Sequence, residues 1–174
     1  MSAPARALAA CVDGTFRRLQ CTPDLMPSDI TGVSIYDEHE RGFRFHPGPI
    51  FCHVLLADEL NRTPPRTQSA LLEAMSERQV TVEGEACALP DPFVCVATQN
   101  PLDSAGTYPL PESQQDRFLL SFGLGYPDRT GEADLLDHDG AEHELASVAS
   151  QVDLDTVRSL QRACRQVRVA HAVR

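Results

Sequence analysis

The chain of 174 residues contains no tryptophan, and aromatic residues make up only 6% of it. Its core must be mostly aliphatic, and a hydrophobic content of 42% is enough to build one. No apolar stretch is long enough to span a bilayer, and no signal peptide is visible. Six cysteines stand at positions 11, 21, 52, 87, 95 and 164, none of them in a Cys-x-x-Cys pair. That spacing suggests neither a zinc site nor a thioredoxin-like motif. Cys52 and Cys95 fall in apolar runs, where a reduced cysteine behaves as a small hydrophobe, so a reducing cytoplasm is the expected compartment. Positive charge is also lacking. A net charge of −10 argues against a non-specific nucleic-acid binder, which needs a basic patch. The charge is uneven: nine acids and one arginine lie between Asp128 and Asp155, then five arginines and no acid from Arg158 to Arg174. The acidic run reads as a solvated face. The length fits one domain, or one domain and part of a second.

The most informative feature present is the run VLLADELN at positions 54–61. A short apolar run that ends in two carboxylates fits a buried parallel strand delivering acids to the rim of a sheet. In open α/β sheets that rim is where ligands bind. Nucleoside triphosphate hydrolysis needs one carboxylate to hold Mg²⁺ and another to orient or activate a water, and Asp58 and Glu59 suit those roles. Taken alone, the pair is a weak signal, because a strand ending in Asp-Glu before a helix often arises by chance and Asp58 can merely cap a turn.

Around this strand the chain alternates. Residues 4–11 read as a helix tail ended by Asp13-Gly14, and 16–21 as a short strand. Residues 29–48, with three glycines and with Phe43 and Phe45 at period two, suggest a hairpin-like insert. A strand is expected over 52–57. Thr63 before two prolines predicts an N-cap and a helix running to about Arg78, with Leu71, Leu72 and Met75 on its apolar face. A second hairpin is expected over 79–89, a buried strand over 93–97, and a further strand over 118–124. Beyond Pro127 the composition shifts, with helices expected over 132–138 and from about Asp153.

Taken together, the chain resembles the MoxR family of AAA+ ATPases. The resemblance is carried by CTPDLMPSDITG at 21–32, HPGPIF at 46–51 and LADELNRTPPRTQSALLEAM at 56–75. ATQNP at 97–101, GTYPLPE at 106–112 and DRF at 116–118 complete it, so it covers nearly the whole chain. It implies a three-layer α/β P-loop NTPase core with a parallel sheet over 1–126, followed by the start of an α-helical lid over 127–174.

By this resemblance 54–59 is the Walker B strand. Asp58 holds Mg²⁺, mostly through water, and Glu59 polarises the attacking water. Asn100 is sensor 1, though an Asn before proline is also an ordinary turn residue. Arg117 is the arginine finger, whose planar, permanently charged group suits the charge on the γ-phosphoryl oxygens of the neighbouring subunit's site. A surface ion pair with Asp116 or Glu112 is the alternative for Arg117. Arg62 faces the same subunit interface. Segments 24–49 and 79–89 match inserts that face the pore or a partner, with His46 where the family usually has a basic residue. ATP and Mg²⁺ are the implied cofactors, a ring of about six subunits the implied assembly, and a von Willebrand factor A domain protein the implied partner.

One family element does not occur in these residues: the phosphate loop Gly-x-x-Gly-x-Gly-Lys-[Ser/Thr]. By alignment Met1 falls near the loop lysine, and sensor 2 lies beyond Arg174. The strand leading into the loop belongs between the sensor 1 strand and the strand starting at Phe118. The chain alone is therefore expected to expose apolar strand edges, to be poorly stable and not to hydrolyse ATP. A non-hydrolysing subunit that acts as an interaction module is the alternative function. Within the enzyme class, a magnesium chelatase-like ATPase subunit is the runner-up.

Overall fold

In the computed structural model, residues 2–100, 106–123, 125, 127–129, 131 and 149–168 are described. In chain order the elements are α1 (Ser2–Cys11), β1 (Phe16–Gln20), α2 (Pro27–Thr31), β2 (Gly32–Asp37), β3 (Gly42–Pro47) and β4 (Val54–Asp58). After a 3₁₀ turn (Leu60–Arg62) come α3 (Pro65–Glu77), β5 (Gln79–Val82), β6 (Glu85–Ala88), β7 (Val94–Ala97), α4 (Glu112–Gln115) and α5 (Leu154–Gln166). The expected helix at 132–138 lies outside the described residues, as do Leu124 and Pro101.

The sheet has the order β1-β4-β7, and both of its pairings are parallel. β4 is central, which is why its residues are apolar on both faces. Val54 and Leu56 pack with Ala5 and Ala9 of α1, and small residues there let the helix sit close to the sheet. Leu55 and Ala57 point the other way, into the cluster of Leu71, Leu72, Ile30 and Ile50. The result is helix, sheet, helix, the three-layer arrangement expected. Each leucine buried in this sandwich contributes on the order of 1.5–3 kcal/mol.

The hairpins form as the sequence predicts. β2 pairs with β3 and β5 with β6, both antiparallel, with Gly84 at φ +85° in the second turn. At the base of the first hairpin two glycines let the backbone cross itself. A Cβ on Gly32 would lie 2.2 Å from the carbonyl oxygen of His46, and one on Gly48 would lie 2.2 Å from that of Ile30. The first hairpin leaves Val33, Ile35, Tyr36 and Phe43 exposed, and the Tyr36 and Phe43 rings meet edge to face.

Four expectations need correction. Residues 29–31 belong to α2, not to the hairpin, because the Asp29 carboxylate accepts a hydrogen bond from the Met26 N–H and starts a helical turn. Thr63 is not the N-cap of α3. Pro64 occupies that position without a side-chain cap, and Thr63 is fully buried against the Cys21 thiol. β7 is not a doubly buried strand: it lies at the sheet edge, and Val94 is exposed. Residues 118–123 form no strand, and Leu119, Leu120 and Phe122 are exposed. The last two corrections share a cause. An apolar strand is buried only when a neighbour satisfies its second edge, and no described residue occupies the far edge of β7.

Candidate functional site

The site is built at the C-terminal tip of β4. Asp58 is the last residue of the strand, and register places Gln20 of β1 opposite it. The chain then turns sharply, with Glu59 in the left-handed region at φ 59°, ψ 47°. A non-glycine residue held there costs about 1–3 kcal/mol and persists only where its surroundings fix it. Here the neighbouring strand does so. The Glu59 N–H donates to the Thr98 hydroxyl at 2.9 Å, and the Leu60 N–H donates to the Thr98 carbonyl at 2.9 Å. The same hydroxyl donates to Oδ1 of Asp58 at 2.6 Å.

The second oxygen of Asp58 faces β1. Oδ2 accepts from Arg18 Nη2 at 2.6 Å and from Nε at 3.1 Å. Glu59 Oε2 accepts from Gln20 Nε2 and from Arg62 Nη1, each at 3.2 Å. Arg18 and Gln20 lie two apart on β1 and so share a face. That pattern was the available signal for two residues the motif reading passed over. Thr98 and Asn61 were also passed over. Asn61 donates from Nδ2 to the Asn100 carbonyl at 3.3 Å, its own carbonyl accepts from the Tyr108 N–H, and its buried Oδ1 has no partner among the described residues. Gln68 of α3, fully buried, ties the Leu60 and Tyr108 carbonyls together through Nε2.

Asp58, Glu59 and the backbone of Asn100 are thus brought to one corner. Arg117 is not. Its Nη1 donates to the Leu72 carbonyl at 3.0 Å and to the Ser76 hydroxyl at 3.2 Å, on α3. Among the described residues its guanidinium meets these α3 atoms, and no ion pair joins it to Asp116 or Glu112. Arg62 lies on Glu59 of its own chain, where it neutralises part of the charge.

Burial pushes the Asp58 carboxyl up, but the hydrogen bonds from Thr98 and Arg18, with the Arg18 charge, outweigh it and hold the group below the usual carboxylate range. The unfolded chain then takes up this proton at a higher pH than the folded chain does. The stability so gained is complete above about pH 3.9 and is lost as pH falls through the lower folded value. Thermal melts across the acid range should show Asp58→Asn less stable at neutral pH, with a shallower acid loss than the parent. An unchanged acid limb would contradict this assignment. The thiols in the core behave oppositely. Burial pushes Cys52 up to about 11 and Cys95 up to about 12, so both remain protonated and inert, as small hydrophobes do.

Carboxylate oxygens are hard donors that suit Mg²⁺, an ion commonly held by one or two carboxylates together with water and substrate phosphates. Asp58 is held in its ionised form and tethered by Thr98 and Arg18, so its donor chemistry fits such an ion. Among the described residues no group of three His, Cys, Asp or Glu side chains is arranged as a complete cage. No described helix is long and apolar enough to cross a membrane.

Residues 2–120 match the ATPase family associated with various cellular activities (AAA). The chain is 47% identical over 169 residues to the uncharacterized protein YeaC of Bacillus subtilis, covering 97% of this chain and 53% of that protein. It is 48% identical over 128 residues to the chaperone MoxR1 of Mycobacterium tuberculosis, covering 74% of this chain and 34% of that protein. Its fold matches the crystal structure of an ATPase candidate from Cytophaga hutchinsonii with a TM-score of 0.83 at 39% identity, over 98% of this chain and 52% of the other. The chain therefore spans about half the length of the Bacillus and Cytophaga proteins and about a third of the mycobacterial one. On the strand order, the three layers, the carboxylate pair at the central strand tip and these similarities, the chain belongs to the MoxR family of AAA+ ATPases.

Proposed function

We propose that the protein containing this chain binds ATP with Mg²⁺ and couples its hydrolysis to the remodelling or maturation of a partner protein. The observation that supports this reading best is the Asp58–Thr98–Glu59 arrangement. One carboxylate is held ionised for a cation, and the next is turned by a left-handed backbone toward a separate pair of donors. In this reading Asp58 holds the ion, Glu59 orients the attacking water and accepts its proton, and Asn100 positions that water or touches the γ-phosphate. Arg117 acts on the site of the next subunit in a ring of about six, the assembly that the resemblance implies. When bound, Mg²⁺ supplies charge neutralisation at the phosphate oxygens. A chaperone-like role accords with the name of the mycobacterial relative. A von Willebrand factor A domain protein is the partner we propose.

The test is to purify the protein from its source cells, measure its intact and N-terminal peptide masses, and assay ATP turnover with and without EDTA. A native protein that carries a glycine-rich phosphate loop and turns over ATP only with Mg²⁺ is the expected result. A native protein with neither would overturn the proposal in favour of a non-hydrolysing subunit.

A further inference from the structure

Thr98 is buried at the end of β7 and belongs to none of the roles assigned above. Its backbone continues the parallel ladder past the end of the strands: its N–H donates to the Ala57 carbonyl at 3.0 Å and its carbonyl accepts from Leu60 at 2.9 Å. The ladder thus holds the Thr98 backbone beside Asp58 and Glu59, within reach of its hydroxyl. A hydroxyl has one proton to give and lone pairs to receive with. The ionised Asp58 carboxylate can only accept, so the proton goes to Oδ1. The lone pair that remains takes the Glu59 N–H. One oxygen atom thus bridges the Asp58 carboxylate, whose other oxygen is held by Arg18, and the backbone of Glu59, at the position where the chain adopts its left-handed turn.

We propose that Thr98 is a positioning residue of this site: its hydroxyl couples the metal-side carboxylate of Asp58 to the backbone turn that aims Glu59, acting together with Arg18 on the other carboxylate oxygen. The proposal rests on the reading of Asp58 and Glu59 given above. It also explains why a threonine serves at a buried position where valine has the same shape. Valine would leave the Glu59 N–H unpaired and release Oδ1. Serine would keep both bonds.

The experiment uses the protein at its native length, with Thr98→Val and Thr98→Ser. Mn²⁺ binding in the presence of ADP is followed by electron paramagnetic resonance, kcat and KM for ATP are measured, and the crystal structures of parent and Thr98→Val are compared at Glu59. Loss of a hydrogen bond to a charged group predicts Mn²⁺ binding weaker by about 10- to 100-fold in Thr98→Val, with a comparable fall in kcat. KM should be little changed, Glu59 should leave positive φ, and Thr98→Ser should restore the parent values. Leu71→Val, a core substitution at a residue that makes none of these hydrogen bonds, should lower the melting temperature without moving Mn²⁺ affinity. The proposal fails if Glu59 keeps its left-handed turn in Thr98→Val and Mn²⁺ affinity is that of the parent, or if serine does not rescue. Should the parent itself neither bind Mn²⁺ nor turn over ATP, the ATPase reading falls. The Glu59 backbone in the two crystal structures then still decides whether Thr98 sets it.

Discussion

Glu59→Gln is expected to lower ATP turnover of the native-length protein by about 10²- to 10⁴-fold, the usual contribution of a positioned general base. Nucleotide binding should be unchanged. The substitution is nearly isosteric. The amide oxygen can still accept from Gln20 and Arg62, which now meet Glu59 Oε2. The backbone bond to Thr98 does not involve the side chain, so the left-handed turn persists. What disappears is the negative charge and the capacity to take a proton from water. Single-turnover hydrolysis measured beside equilibrium binding of a fluorescent ATP analogue separates the two effects. Turnover within about tenfold of the parent would remove Glu59 from the water-activating role, because a base contributes more than that.

Arg117→Ala is expected to have the larger effect, about 10³- to 10⁵-fold, if the guanidinium stabilises charge on the transferred phosphoryl group. The structure sharpens this prediction. Within its own chain Arg117 meets α3 through Leu72 and Ser76, and it makes no hydrogen bond to Asp58 or Glu59. The local loss is two hydrogen bonds near the negative end of a helix, on the order of 1 kcal/mol, too little to unfold the domain. A large fall in turnover must then come from a site on another subunit. Subunit mixing tests this directly. Glu59→Gln and Arg117→Ala are each expected to be inactive alone, whereas in the ring proposed above mixed assemblies would bring an intact Glu59 to an intact Arg117 at some interfaces. Recovered turnover on mixing is the expected outcome. No recovery, with mixed rings verified by mass, would assign Arg117 only the structural contact with α3.

Much of the site was legible in the chain as a string, for a definite reason. β4 is apolar on both faces because it is central, so its run of Val54 to Ala57 stands out, and its two carboxylates mark the rim. Asp58 and Glu59 are adjacent and Asn100 stands in its own short motif, so each segment could be read locally, while the parallel pairing of β4 and β7 brings Asn100 to the acids. The existence of both hairpins followed from Gly84 and from the alternation around Phe43 and Phe45, since turn chemistry and period two are local properties, although the first begins at Gly32 and not at Asp29.

The rest depended on neighbours that spacing cannot name. Thr98 lies 40 positions from Asp58, and Arg18 lies 40 positions on the other side, yet both close on its carboxylate. Nothing local to either residue reports this, because the parallel register of β1, β4 and β7 creates the contacts. The fate of Thr63 was likewise settled by burial against Cys21, which outcompeted its local preference for capping α3. The exposure of Leu119, Leu120 and Phe122 shows the same dependence in reverse, since an apolar run becomes a strand only where a partner edge exists. The amino-acid sequence by itself determined the family, a buried strand over 54–58 and the identity of the acids at its tip, because these are written in contiguous residues. Only the tertiary structure decided which side chains hold those acids, because hydrogen-bond partners are chosen by strand register and burial, and these bring together residues far apart in the chain.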